Sequence, residues 1–421
     1  MAFSRRYESF IKKYELGGCI FMIFEEKLAI FGGEPACENF IPYGTQYIDD
    51  DDINAVVNVL KSPFLTTGPT INLLEKKICE ITNANYAVAL SNGTASLHVA
   101  CMAAGLKEGD EVIVSSMTFV ASANVVLYCG AIPVFADIDD ETWNIDPESI
   151  KDKITSKTKA IIAVDFGGQA VELNEIKKIC TEHNLILIED AAHSIGTKYD
   201  NKPVGSIADM TIFSFHPVKT VTAGEGGAIT TNSEEFYKKI NMFKYHGITR
   251  DKDQFVNKDE GSWYYEQQLL GFNYRITDIQ CTLLNSQLNK MEDFAKRRKE
   301  IVEMYDSAFD DMKELSIQKI IPNSDTCRHL YIIRLNLDKL KGSRKEIFDA
   351  LRAENIGVNV HYMPVYYHPY YKNLGYEKGL CKNAEKLYEE MITISLFYTM
   401  RDEDVESVIR GVKKVISYYR I

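Results

Sequence analysis

The chain of 421 residues carries 60 acidic against 48 basic side chains, a formal net charge of −12, with 45% hydrophobic and 26% charged residues. That length supports a large core in two or three domains, and the acidic balance argues against nucleic acid as the main partner, because its binders concentrate Lys and Arg. No stretch approaches the ~20 apolar residues of a membrane span, and the nine cysteines include no C-x-x-C pair, which speaks against zinc and for reduced thiols in a cytoplasmic protein.

Residues 1–42 read as an N-terminal arm. The apolar run at 17–24 is short and leads directly into Glu25, Glu26 and Lys27, unlike a secretory signal. Two glycine codons, at Gly17 and Gly18, can mimic a purine-rich ribosome-binding site ahead of Met22. Translation from Met22, leaving 1–21 untranslated, is therefore set beside a genuine arm.

From about 85 to 232, short apolar runs alternate with helical stretches. The runs at 86–90, 111–115, 133–138, 160–166, 185–190, 210–215 and 227–231 are rich in Val and Ile. They predict buried strands of a mostly parallel sheet. Segments 94–104, 120–129 and 173–184 have helical spacing and predict crossover helices of an α/β domain. One long amphipathic helix is predicted over 278–309, then strands at 329–335 and 357–361. The change in texture divides a large domain, 43–299, from a smaller C-terminal α/β domain, 300–421.

In open α/β sheets, ligands bind beyond the carboxyl ends of the strands. After the first run comes Ser91-Asn92-Gly93-Thr94-Ala95. Gly93 permits a tight turn, and a helix N-terminus with Thr94 suits a phosphate; alone, this is an ordinary helix cap. After the fifth run comes Glu189-Asp190-Ala191-Ala192-His193, where Asp190 matters only with a cation to hold. After the sixth comes Ser214-Phe215-His216-Pro217-Val218-Lys219, then a Gly-rich turn. A lone loop lysine is ordinarily a solvated surface group, but Lys219 and Asp190 follow the ends of successive strands. Together these residues meet the needs of pyridoxal phosphate (PLP): an amine for its aldehyde, a carboxylate beneath its pyridine nitrogen and an anion cradle. An opposite charge favours the protonated pyridine. Phe119, after the second strand, can stack on the ring or serve as a core aromatic.

With Leu65-Thr66-Thr67-Gly68-Pro69, the SNGTA and EDAAHS segments, and Gly271-Phe272-Asn273-Tyr274-Arg275 in order, the chain resembles the DegT/StrS-type nucleotide-sugar aminotransferases. The resemblance runs from about Tyr43 to the C terminus. It implies the type I PLP-dependent transferase (aspartate aminotransferase-like) fold. Ser214 to Lys219, Arg328-His329-Leu330-Tyr331 and Val360-His361-Tyr362-Met363-Pro364 are most similar to the branch of C4-aminotransferases in the pseudaminic acid pathway. Thr220 stands where that branch usually has proline.

The resemblance implies catalytic roles for Lys219, the Schiff-base lysine and proton shuttle, and for Asp190 at the pyridine nitrogen. It places His193 beside Asp190 or the ring hydroxyl, and Gly93, Thr94 and Ser214 on the phosphate. Asn273 is expected to reach the neighbouring subunit's phosphate, implying a homodimer with shared sites. Thr66, His329, His361 and Tyr362 are expected at the nucleotide sugar, with structural roles left open for the last three. The implied reaction moves an amino group from L-glutamate to C4 of a UDP-linked 4-keto-6-deoxy-N-acetylhexosamine. Alternatives are a dTDP- or GDP-linked 3- or 4-keto sugar and a non-catalytic PLP-fold regulator. A dehydratase is disfavoured because those relatives carry histidine at the position of Lys219. No metal is expected.

Overall fold

The computed structural model describes residues 10–16 and 19–421; the expectation about residues 1–21 falls largely outside them. Seven strands form the central sheet: β1 (Tyr86–Leu90), β2 (Glu111–Ser115), β3 (Ile132–Ala136), β4 (Thr158–Val164), β5 (Ile186–Asp190), β6 (Met210–Ser214) and β7 (Gly227–Thr231). Their order across the sheet is β1-β7-β6-β5-β4-β2-β3. Only β7 runs antiparallel to its neighbours in this sheet.

These strands read as continuous apolar runs because both faces are covered. Val88, Leu90, Val112 and Val114 enter one core, while Ala87, Ala89 and Ile113 enter the other. Helix α1 (Gly93–Ala103) lies in the first core, with residues 95–101 all buried. It approaches the sheet closely because β7 opens with a glycine. A Cβ on Gly227 would stand 2.4 Å from the Asn92 carbonyl oxygen.

The single helix predicted over 278–309 is two, α3 (Asp278–Leu288) and α4 (Met291–Phe309); α2 is Ala121–Tyr128. Neither Gly nor Pro marks the break. Lys290 leaves helical geometry at φ −103°, ψ 0°, with its ammonium paired to Asp49 and, at 3.0 Å, to the fully buried Asp52. Gln287 donates to the same Asp52 carboxylate at 2.6 Å.

The C-terminal part of the chain holds a separate antiparallel sheet of β8 (Leu315–Ile317), β9 (Tyr331–Leu335) and β10 (Met391–Ile394). The strand predicted at 357–361 is absent. That segment makes one bridge, Asn359 to Thr393, and Asn359, Val360 and His361 line a large cavity. The N-terminal segment is also not a free arm beyond residue 27. Leu28, Cys37 and Ile41 share one buried core with Ile301, Ile333 and Val412 of the C-terminal part. The buried Glu354 carboxylate accepts from the N–H groups of Ala29 and Ala36, each at 2.8 Å, and meets Lys414 at 2.9 Å. A buried carboxylate needs such partners, and only the N-terminal segment supplies the two amides.

Candidate active site

A cavity of about 1180 Å³ opens at the carboxyl ends of β1, β5 and β6. Asp190 ends β5, opposite Val164 on one side and Ile212 on the other. Both its oxygens are engaged: Ser122 donates to Oδ2 at 2.7 Å and the Ala192 N–H to Oδ1 at 3.2 Å. Burial pushes the carboxyl above its usual range, while those two donors and the Lys219 ammonium oppose the rise.

Lys219 reaches the same cavity from a turn after β6, closed by Lys219 N–H to His216 carbonyl and Ala223 N–H to Phe215 carbonyl, both 2.9 Å. Burial lowers its amine to about 8, with Asp190 holding it from falling further. A free amine is therefore accessible near neutral pH, as a carbonyl-capturing lysine requires.

The first turn of α1 forms a donor cradle. The Asn92 side chain caps the helix by accepting from Ala95 N–H at 2.8 Å. The N–H groups of Gly93 and Thr94, first in the helix, have no intrahelical acceptor. A Cβ on Gly93 would lie 3.0 Å from Ser214 Cβ and 3.1 Å from its hydroxyl, so glycine is what lets helix amides and the Ser214 hydroxyl converge.

Three histidines, His193, His329 and His361, cluster on the other side, each buried to 7% exposure or less. His193 Nε2 lies 3.2 Å from the Tyr362 hydroxyl, and its Nδ1 is buried with no partner. The Asn359 amide donates to His361 Nε2 at 3.3 Å, so Nδ1 carries the hydrogen and donates to Thr393 at 2.9 Å. Burial drives all three imidazoles below their usual range, His361 to about 4, and the Lys219 charge adds to it. They are neutral at neutral pH.

Gly93, Thr94, Phe119, Asp190, His193, Ser214, Lys219, His361 and Tyr362 all line the cavity. Phe119 is 57% exposed at its mouth, 6.1 Å from the Tyr362 ring, with a free face for a flat ligand. His329 does not line it; its ring packs at a tilt against His193, centroids 4.6 Å apart. Thr66 is exposed and bridges Thr277 away from the cavity. Asn273 is likewise outside. Phe272 and Tyr274 line the cavity, while exposed Asn273 between them accepts from Arg275 at 3.0 Å. Sequence reasoning missed Ser122, Tyr43 and Asn359. Ser122 stands one helical turn after Thr118, a spacing that could have flagged a hydroxyl pair.

The residues fit PLP. The cavity offers an amine, a fixed carboxylate, an amide and hydroxyl cradle that an alanine Cβ would crowd, and a buried imidazole nitrogen awaiting a polar partner. No group of His, Cys, Asp and Glu among the described residues is arranged to hold a metal ion.

Comparisons with known proteins agree. Spore coat polysaccharide biosynthesis protein SpsC of Bacillus subtilis is 38% identical over 380 residues, covering 90% of this chain and 97% of SpsC. A UDP-4-amino-4,6-dideoxy-N-acetyl-beta-L-altrosamine transaminase of Campylobacter jejuni is 37% identical over 371 residues, 87% of this chain and 95% of that one. Among solved structures, Helicobacter pylori PseC, an aminotransferase involved in the biosynthesis of pseudoaminic acid, superposes with a TM-score of 0.84 at 30% identity, covering 90% of this chain and 100% of its own. Spr1654 of Streptococcus pneumoniae, solved in its PLP form, gives a TM-score of 0.84 at 32% identity, covering 90% of this chain and 99% of its own. Residues 46–413 match the model of the DegT/DnrJ/EryC1/StrS aminotransferase family. The chain belongs to that family and is a PLP-dependent aminotransferase of fold type I.

Proposed function

We propose that the enzyme transfers the amino group of L-glutamate to C4 of a UDP-linked 4-keto-6-deoxy-N-acetylhexosamine, a step of pseudaminic acid-type nucleotide-sugar biosynthesis. The observation that carries this reading is the part-buried Lys219 amine sharing one end of a roughly nucleotide-sugar-sized cavity, about 1180 Å³, with the Asp190 carboxylate. The names of the Campylobacter and Helicobacter relatives support the substrate branch.

When bound, PLP supplies an aldehyde for amine capture and a conjugated ring that takes up the electron pair of a breaking C–H bond. The protein does the rest. Asp190 holds a negative charge beneath the pyridine nitrogen, and Ser122 fixes its orientation. Gly93, Thr94 and Ser214 anchor the phosphate, as a helix N-terminus does for anions. Lys219 removes the proton from the donor's Cα and delivers a proton to the sugar carbon being aminated. His361 presents a neutral imidazole to the cavity, which Asn359 and Tyr43 also line, groups suited to sugar hydroxyls and an acetamido group. His193 and Tyr362 would flank the ring, and Phe119 would lie against it.

The active unit is a homodimer in this reading. Asn273 faces away from its own cavity toward the phosphate of a second copy. Phe64, Leu65 and Leu73 stand 47% or more exposed, an apolar surface that a second copy would cover. Eight of the nine cysteines, those from Cys37 to Cys381, are free thiols, which fits a cytoplasmic location, and no described helix is long and apolar enough to cross a membrane.

The test uses enzyme incubated with excess glutamate, freed of it, and given the UDP-4-keto-6-deoxy sugar. Return of the cofactor's visible band together with a 4-amino sugar by mass supports the reading. A flat trace with that sugar and a response to dTDP- or GDP-linked keto sugars overturns the substrate branch.

A further inference from the structure

Behind Asp190 lies a second acidic pair that the chemistry above does not use. Glu189 precedes Asp190 on β5, and Asp165 follows the last residue of β4. Both are 0% exposed. The strands run parallel with Ala163 opposite Glu189 and Val164 opposite Asp190, so Glu189 and Asp165 are diagonal neighbours at the carboxyl ends of β4 and β5.

Their hydrogen bonds are unequal. Asp165 accepts from Val171 N–H at 3.0 Å and from the Ser194 hydroxyl, while its own N–H donates to the Asp190 carbonyl at 3.1 Å. Glu189 accepts one bond, from Thr211 at 2.7 Å, and its Oε1 is buried without any donor. Two neighbouring carboxylates in a dry interior do not both stay ionised at neutral pH. One proton between them removes the repulsion and turns the orphan Oε1 into a donor. The count of donors says where it sits: two donors stabilise ionised Asp165, whereas Glu189 has one. Asp190, next on the strand and turned to the other face, is the charged neighbour whose charge acts on the pair, and burial pushes both carboxyls above their ordinary range.

We propose that Glu189 and Asp165 share one proton, held on Glu189 and donated to Asp165, and act as positioning residues for the cofactor site. The pair ties the ends of β4 and β5 together. Through the Ser194 hydroxyl, which donates to the Asp165 carboxyl, it holds the segment that carries His193, while the Asp165 backbone N–H bonded to the Asp190 carbonyl keeps the two strand ends in register. It also leaves one buried negative charge behind the pyridine nitrogen. This inference rests on the reading of Asp190 and His193 as cofactor contacts.

Glu189→Gln and Glu189→Leu in the PLP-loaded enzyme separate the outcomes. Glutamine carries a permanent N–H donor and leaves the pair's net charge unchanged, so cofactor affinity and the pH midpoint of the visible band stay at wild-type values. Leucine removes the donor, weakens cofactor affinity about tenfold or more, the scale of one lost buried hydrogen bond, and moves the midpoint. Infrared difference spectra of the wild type against Glu189→Gln, which need no damaged variant, should show a protonated-carboxyl C=O stretch at neutral pH that the substitution removes. Equal damage from both substitutions, a Glu189→Leu enzyme with wild-type affinity and midpoint, or no such stretch overturns the proposal. Asp190→Asn serves as the control. If it binds PLP like the wild type, the reading of Asp190 fails, and the infrared result still decides the proton.

Discussion

Ser122 donates its hydroxyl hydrogen to Asp190 at 2.7 Å, and the Thr118 hydroxyl lies 2.7 Å behind it. The relay comes from α2, whose first turn stands over the end of β5. It leaves the carboxylate, 5% exposed, with one oriented side-chain donor. Ser122→Ala strands that oxygen at a cost of about 1–3 kcal/mol. We expect PLP affinity to fall about tenfold and kcat to fall with it, as read by fluorescence titration and steady-state kinetics. Unchanged affinity would show that Ser122 does not support the carboxylate.

The Lys219 amine sits at about 8. The deprotonated amine is the form that captures an aldehyde, so the rate of PLP loading onto apoenzyme should rise with pH through a midpoint near 8. The Asp190 charge raises that value, so Asp190→Asn should move the midpoint down. A midpoint close to that of a free lysine, or an upward shift in the variant, contradicts the assignment.

His361 titrates at about 4, below its unfolded value of 6.5. A depressed imidazole contributes its stability above the unfolded value and loses it as pH falls through the folded one. The loss from this residue amounts to about 3 kcal/mol, accruing as pH drops from 6.5 toward 4. His193 and His329 act in the same direction. The apoenzyme Tm should therefore decline steeply across that interval, and His361→Gln should flatten the decline. A Tm constant down to the lower limit would mean that the histidines are not buried neutral.

Gly93 is required by the cradle rather than by backbone dihedrals. Gly93→Ala places a methyl 3.0 Å from Ser214 Cβ and 3.1 Å from its hydroxyl, crowding the space where the phosphate is held. PLP should bind about tenfold more weakly, while pyridoxal without its phosphate should be little affected. Equal weakening of both ligands would place the phosphate elsewhere.

Much of this was legible in the sequence because the sheet is buried on both faces. β2, β4 and β5 read as plain apolar runs, and the polar residue that ends or follows each strand marks the mouth of the site. Asp190, Ser214 and Lys219 were found that way. What was not legible depends on partners distant in sequence. The break after Leu288 follows from the pull of Asp49 and Asp52 on Lys290, more than two hundred residues away. Leu28 and Cys37 join the core of the C-terminal part because Glu354 collects the amides around them. His329 was expected at the substrate, but Gly168 packs against its backbone nitrogen, where a Cβ would lie at 2.8 Å, and the ring settles behind His193. Ser122 was passed over because a serine inside an apolar helix has no meaning until Asp190 is opposite it.

The central claim is that Lys219 carries the cofactor, and borohydride reduction of PLP-loaded enzyme followed by peptide mass spectrometry tests it most directly. The account predicts the reduced phosphopyridoxyl group on Lys219 alone, with no stable label and no turnover in Lys219→Ala. A label on another lysine, or a Lys219→Ala enzyme that turns over at the wild-type rate, would contradict it.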